Sequence, residues 1–293
     1  MLNVDRLFES VKKRGHVCVG LDTAVDYVPD LERRRAGSDA DAVLAFNKAV
    51  VDAVCDVCAC FKVQIAYYEE IGLDGLRVYS DILRYIRSKG CLVIADIKRG
   101  DIADTAQRYA KAHFSGDFEA DFVTLSPYMG LDSIEPWLKI AQFKEKGAFV
   151  LMKTSNSGMR DFECLEIGGG KRVYHCVGDK LANFYANIKG SYGYRLFGVV
   201  TGCTDREEAA EIRRNYGDLF FLIPGYGAQG GGAKDAALLL KDGNGGVVNA
   251  SRSIITAWRK EPGSENADNL FAAEKARQAV ILMRDDIIRE ARE

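Results

Sequence analysis

Eight short runs of apolar and β-branched residues, at 16–21, 58–63, 92–96, 122–125, 148–152, 196–200, 219–223 and 246–250, narrow the possible folds of this chain more than anything else in it. Runs this apolar suit strands buried on both faces, as in parallel sheets covered by helices. The segments between them carry apolar residues at helical spacing. In 38–57, Val43, Phe46, Val50 and Val54 share one face, and Ser38 with Asp41 makes an N-terminal cap. Segments 74–89, 103–114, 134–144, 180–189, 206–216 and 233–241 read the same way, and 269–289, with Leu270, Ala273, Ala276, Val280, Met283 and Ile287, supplies the last helix. Strands alternating with helices give a parallel sheet, and eight such units close a (β/α)8 TIM barrel, with an open doubly wound sheet as the alternative. A single barrel domain over 1–293 is expected, since a chain 47% hydrophobic can bury one large core. Residues 161–179, which include Gly168, Gly169 and Gly170, follow no period and read as an excursion between the fifth strand and its helix.

Charge and cysteine usage remove several classes of function. With 40 basic against 42 acidic residues, a net charge of −2 and no basic block, nucleic acid is not expected as a partner. No apolar run approaches the ~20 residues needed to cross a bilayer, and Met1-Leu2-Asn3-Val4-Asp5-Arg6 lacks the charged-then-apolar order of a signal peptide, so a cytoplasmic protein without membrane contact is expected. The eight cysteines sit mostly among apolar residues and read as reduced, buried thiols. Cys55-Asp56-Val57-Cys58 has no second pair at zinc-ribbon spacing, and His16, His113 and His175 are scattered, so no metal site is expected.

In a barrel, chemistry belongs where the strands end and the βα loops converge. A polar residue follows nearly every apolar run: Asp22 after the first, Lys62 in the second, Asp96 and Lys98 after the third, Ser126 after the fourth, Lys153-Thr154-Ser155 after the fifth, Pro224 after the seventh, and Ser251-Arg252 after the eighth. Taken alone, Ser126 and Thr154 read as ordinary loop residues or caps. The stretch Val93-Ile94-Ala95-Asp96-Ile97-Lys98-Arg99-Gly100-Asp101-Ile102 is the densest of these in charge. Strand alternation places Ile94, Asp96 and Lys98 on one face, and Gly100 lets Asp101 turn back toward that pair or across to a neighbouring molecule. An anion site is expected from the glycine-rich 224–232 loop, whose backbone N–H groups can approach a phosphate, together with the guanidinium of Arg252.

These residues also resemble a known family. Phe61-Lys62-x-Gln64, Asp96-x-Lys98-x-x-Asp101 with Ile102, Pro224-Gly-x-Gly-Ala-Gln229-Gly-Gly and Ser251-Arg252 are similar, in order and spacing, to orotidine 5′-phosphate decarboxylases. Lys153-Thr154-Ser155-Asn156 and 46–52 resemble its longer bacterial branch, and the likeness runs from about Gly20 to Ile255. Ser157 and Ser253 depart from it, standing where proline and glycine are usual, at positions that carry no chemistry. The resemblance implies a homodimer with shared active sites, acting without cofactor or metal on a nucleotide substrate to remove CO₂ in pyrimidine biosynthesis. It implies Lys62, Asp96 and Lys98 of one subunit and Asp101 of the other as the catalytic charges. It further implies Asp22 and Lys62 on ribose hydroxyls, Ile102 and Thr105 from the neighbouring subunit against the ligand, Ser155 on the pyrimidine, Pro224 beside the ring, and Gln229 and Arg252 on the phosphate. Two other readings remain open: a Mg²⁺-dependent sugar-phosphate aldolase or decarboxylase with a similar Asp-x-Lys-x-x-Asp set, and a catalytically silent nucleotide-phosphate binding protein.

Overall fold

The computed structural model describes residues 1–184, 187–202, 205–226 and 232–291. Eight strands, β1 (Val17–Gly20), β2 (Cys60–Gln64), β3 (Val93–Arg99), β4 (Phe122–Leu125), β5 (Gly147–Lys153), β6 (Phe197–Thr201), β7 (Phe221–Ile223) and β8 (Gly246–Ala250), form a closed barrel. Every neighbouring pair is parallel, and β8 pairs back onto β1. The open doubly wound alternative is thereby excluded.

Strand alternation divides the core in two. Val17, Val19, Val93, Ala95, Val123, Val150, Val199 and Val248 face outward against the helices, while Cys18, Cys60, Ile94, Phe122, Phe149, Leu222 and Val247 fill the barrel. A helix at Asn3–Arg14, which the run of strand signals does not announce, plugs the N-terminal mouth by adding Val4, Leu7 and Val11 to that interior cluster. Each such fully buried aliphatic side chain contributes roughly 1.5–3 kcal/mol. The caps follow the sequence: Ser38 Oγ accepts from the Asp41 N–H at 3.1 Å, and Asp268 accepts from the Phe271 N–H at 2.8 Å to start the closing helix Asn269–Glu290.

The excursion takes on structure of its own, and two expected helix boundaries shift. The 161–179 excursion contains the end of a 3₁₀ turn (Ser157–Asp161) and a small antiparallel hairpin (Glu166–Gly168 with Lys171–Arg172), turned by three glycines with φ of 97°, 61° and 73°. The helix after β5 begins at Val173, not near 180, because Tyr174 is buried against the barrel and extends the helical face backward. The helix expected at 233–241 covers only Ala233–Ala237. No described helix is long and apolar enough to cross a membrane.

Candidate active site

A cavity of about 440 Å³ opens at the C-terminal ends of the strands. Asp22, Lys62, Asp96, Lys98, Ser155, Pro224 and Arg252 all line it, together with Thr124, Asn249 and Ser251. Leu151, Val200 and Leu222 supply apolar wall.

Its charged residues form one alternating chain. Lys62 Nζ donates to Asp22 Oδ1 at 2.8 Å and lies 3.1 Å from Asp96 Oδ2, and Lys98 Nζ donates to Asp96 Oδ1 at 2.7 Å. Ser251 Oγ donates to Asp22 Oδ2 at 2.8 Å and so ties β8 into the same chain. That contact requires Gly20, since a Cβ there would stand 1.9 Å from Ser251 Oγ. The loop after β1 is braced from behind: buried Asn47 accepts from Thr23 Oγ1 at 2.7 Å and donates to Tyr68, whose hydroxyl donates to the Leu21 carbonyl. Asn47 is thus the residue of the 46–52 stretch that supports the site.

Burial alone would discharge these groups, and the pairing reverses that. Desolvation works against the Lys62 ammonium, yet Asp22 and Asp96 outweigh it and raise its pKa above the ordinary lysine value. Desolvation likewise opposes ionisation of Asp96, but Lys62, Lys98 and the Thr124 hydroxyl hold its pKa down to about 2. Lys62 and Asp96 are almost completely buried, whereas the Lys98 side chain is 47% exposed and reaches into the open part of the cavity.

Lys98 arrives there by a route that alternation does not describe. Period two holds from Val93 through Asp96, then the β3–β4 register shifts between Ala95 and Arg99, and Lys98 adopts φ +43°. A non-glycine residue in that region costs on the order of 1–3 kcal/mol, and Thr124 offsets it. Its hydroxyl oxygen accepts from both the Ile97 and Lys98 N–H groups at 3.0 and 2.9 Å, and its proton goes to Asp96 Oδ1 at 2.7 Å. One buried threonine thus shapes the bulge and helps fix the carboxylate. Sequence reasoning passed over Thr124, although Phe122 and Thr124 share an inward face two residues apart in β4.

Other expected residues lie elsewhere. Asp101, Ile102 and Thr105 do not line the cavity of their own chain; Asp101 Oδ1 accepts from the Ile102 N–H at 2.8 Å, and Ile102 is exposed. Lys153, at the end of β5, turns away from the cavity and pairs with Glu208 at 2.8 Å. Ser126 packs beside Gly100 and is not part of the lining. Gln229 and most of the glycine-rich loop fall outside the described residues, while Pro224, Gly225 and Tyr226 at its start line the cavity. Arg252 opens a short helix (Arg252–Ile255) at the rim and has no ion-pair partner among the described residues.

A parallel barrel with a buried lysine–aspartate chain at its C-terminal mouth and an arginine at the β8 rim defines a TIM-barrel enzyme for a small anionic substrate. Its sequence matches one family model, described as "Orotidine 5'-phosphate decarboxylase / HUMPS family", over residues 15–265. The chain belongs to that family. It is 56% identical over 287 residues to an orotidine 5′-phosphate decarboxylase of Clostridium perfringens, covering 98% of both chains, and 52% identical over 291 residues to one of Clostridium novyi. Among solved structures, that of Leishmania donovani OMP decarboxylase superposes with a TM-score of 0.73 at 31% identity, over 97% of this chain and 99% of that one.

Proposed function

We propose that this protein converts orotidine 5′-phosphate to uridine 5′-phosphate and CO₂, and that the chain Asp22–Lys62–Asp96–Lys98 is its catalytic device. The observation that carries the reading is the geometry of Lys98: an ammonium held by a strained bulge at 2.7 Å from a buried carboxylate and presented to an open cavity.

The chemistry asks for such a group. The carboxyl leaves a vinylic ring carbon, the C–C bond breaks with its electron pair left in the ring plane, and no adjacent carbonyl delocalises that pair. An ammonium fixed in place stabilises charge that exists mainly in the transition state, and Lys98 then donates a proton to the ring carbon. Asp96 acts in two ways. It keeps Lys98 and Lys62 oriented, and it repels the substrate carboxylate: two unit charges about 4 Å apart interact by roughly 4 kcal/mol at an effective dielectric of 20. Loss of CO₂ relieves that repulsion. Transition-state stabilisation by Lys98 is the larger contributor.

The other lining residues bind. Asp22 and Lys62 hold ribose hydroxyls, Ser155 meets the pyrimidine, Pro224 borders the ring, and Arg252 with the 224–232 loop, Gln229 included, takes the phosphate. Phosphate binding far from the reacting carbon aids the chemical step by fixing the ring over Lys98. Asp101, Ile102 and Thr105 serve the site of a second subunit. The exposure of Ile102 and Thr105 beside β3, with Asp101 outside its own chain of charges, supports a homodimer with shared active sites.

The Mg²⁺-dependent sugar-phosphate reading has less support, because the carboxylates that line the cavity among the described residues, Asp22 and Asp96, are already bridged by Lys62 Nζ. The deciding assay follows orotidine 5′-phosphate loss spectrophotometrically, with excess EDTA, for wild type and Lys98→Ala. The reading expects full wild-type activity under EDTA and at least about a 10³-fold loss in the variant. No turnover by wild type, or loss of activity on chelation, overturns it.

A further inference from the structure

The excursion after β5 reaches back to the cavity at one point. Thr154 and Ser155 line the cavity at the end of β5, and the Thr154 N–H donates to Glu163 Oε2 at 2.7 Å. The Thr154 hydroxyl lies 2.9 Å from Glu163 Oε1 and 2.7 Å from the Asn156 carboxamide, so the carboxylate grips the residue before Ser155 from two sides.

Glu163 is held in turn. Its carbonyl accepts from the Tyr174 N–H at 3.0 Å. The Tyr174 hydroxyl donates to Glu208 at 2.9 Å, Arg172 of the hairpin pairs with Glu208 at 3.1 Å, and the same carboxylate holds buried Lys153 of β5. On the other side Ser155 has no room to retreat. A Cβ on Gly202, at the end of β6, would stand 2.8 Å from Ser155 Cβ and 3.1 Å from its Cα. The Gly202 N–H also donates to the Lys153 carbonyl at 2.7 Å. Ser155 is therefore set between a backbone wall at Gly202 and a peptide clamped by Glu163.

We propose that Glu163 is a positioning residue: through its grip on Thr154 it fixes where Ser155 meets the pyrimidine, and this is what the hairpin excursion does for catalysis. The inference rests on the decarboxylase reading and deepens it. Glu163 touches no substrate. Its effect is on the base alone, since ribose and phosphate are bound by β1, β2, β7 and β8.

Two measurements test this, one of which needs no turnover. In calorimetric titrations, Glu163→Ala weakens uridine 5′-phosphate binding about tenfold and leaves ribose 5-phosphate binding unchanged. A merely structural role lowers both equally and overturns the proposal. In the decarboxylation assay, Glu163→Ala lowers kcat/KM about tenfold, but by less than twofold in a Ser155→Ala background, because the two residues act as a unit. Effects that multiply independently overturn it. Glu163→Gln keeps the reach and an acceptor and retains activity within about threefold, whereas Glu163→Asp keeps the charge, loses the reach and behaves as Glu163→Ala. The opposite order for Gln and Asp also overturns it. Wild-type turnover in the same assay reports on the decarboxylase reading separately.

Discussion

Lys62→Met gives the sharpest test of the charge chain, because methionine has a similar length and no charge. Lys62 Nζ lies 2.8 Å from Asp22 and 3.1 Å from Asp96, and Asp96 is the more deeply buried of the two carboxylates. Its pKa of about 2, against an ordinary 3.8, is equivalent to about 2–3 kcal/mol of stability at neutral pH. Two cations and Thr124 share that contribution. Lys98 is half exposed and screened, so Lys62 carries the larger part of the charge effect. Losing it also removes the cation beside Asp22, which keeps the Ser251 hydroxyl, and the expected loss at pH 7 is about 2–4 kcal/mol. The sign of the pH dependence follows from the depressed pKa. A carboxylate whose folded pKa is lowered contributes fully above its unfolded value and loses that contribution as pH falls through the folded one. The gap between wild type and variant is therefore largest near neutral pH and narrows as pH falls through the carboxylate range toward the folded value of about 2. Urea unfolding of both proteins at pH 7, 5, 4 and 3 measures it. A gap that stays constant to pH 3, or widens there, refutes the coupling of Lys62 to Asp96.

Arg252→Ala removes the guanidinium at the rim, which has no ion-pair partner among the described residues, so KM rises about 10–100-fold with thermal stability unchanged, and an unaltered KM removes the phosphate assignment. Lys98→Ala and Asp101→Ala chains, each inactive alone, regain activity when mixed and allowed to exchange subunits, since one site of each heterodimer has both wild-type residues. Failure to complement after verified exchange returns Asp101 to its own subunit.

Much of the barrel was legible because period and position are local properties. Eight apolar runs report eight strands, and the residue that ends each run is delivered to the C-terminal mouth whatever the helices do. Asp22, Lys62, Asp96 and Arg252 could therefore be placed around one cavity before any geometry was known. The N-terminal plug was missed for a related reason. A three-turn helix with Val4, Leu7 and Val11 looks like any amphipathic surface segment, and only the open bottom of the barrel gives it a hydrophobic partner.

Where contacts cross between distant segments, local pattern is silent or misleading. Alternation put Lys98 beside Asp96, and they are neighbours, but through a bulge that exists because Thr124 on β4 captures two N–H groups of β3. Lys153 looked like a site residue by its position and is turned outward by Glu208, 55 residues along the chain. The 161–179 excursion had no readable period because its order comes from Glu163, Arg172 and Tyr174 gripping the end of β5 and Glu208. By itself, then, the sequence determined the eight-fold alternation and which chemical groups reach the mouth of the barrel. The tertiary structure alone decided which of those groups face the cavity, how the lysines and aspartates interleave, and what holds them there, because ion pairs and shared hydrogen bonds join residues whose separation along the chain carries no signal.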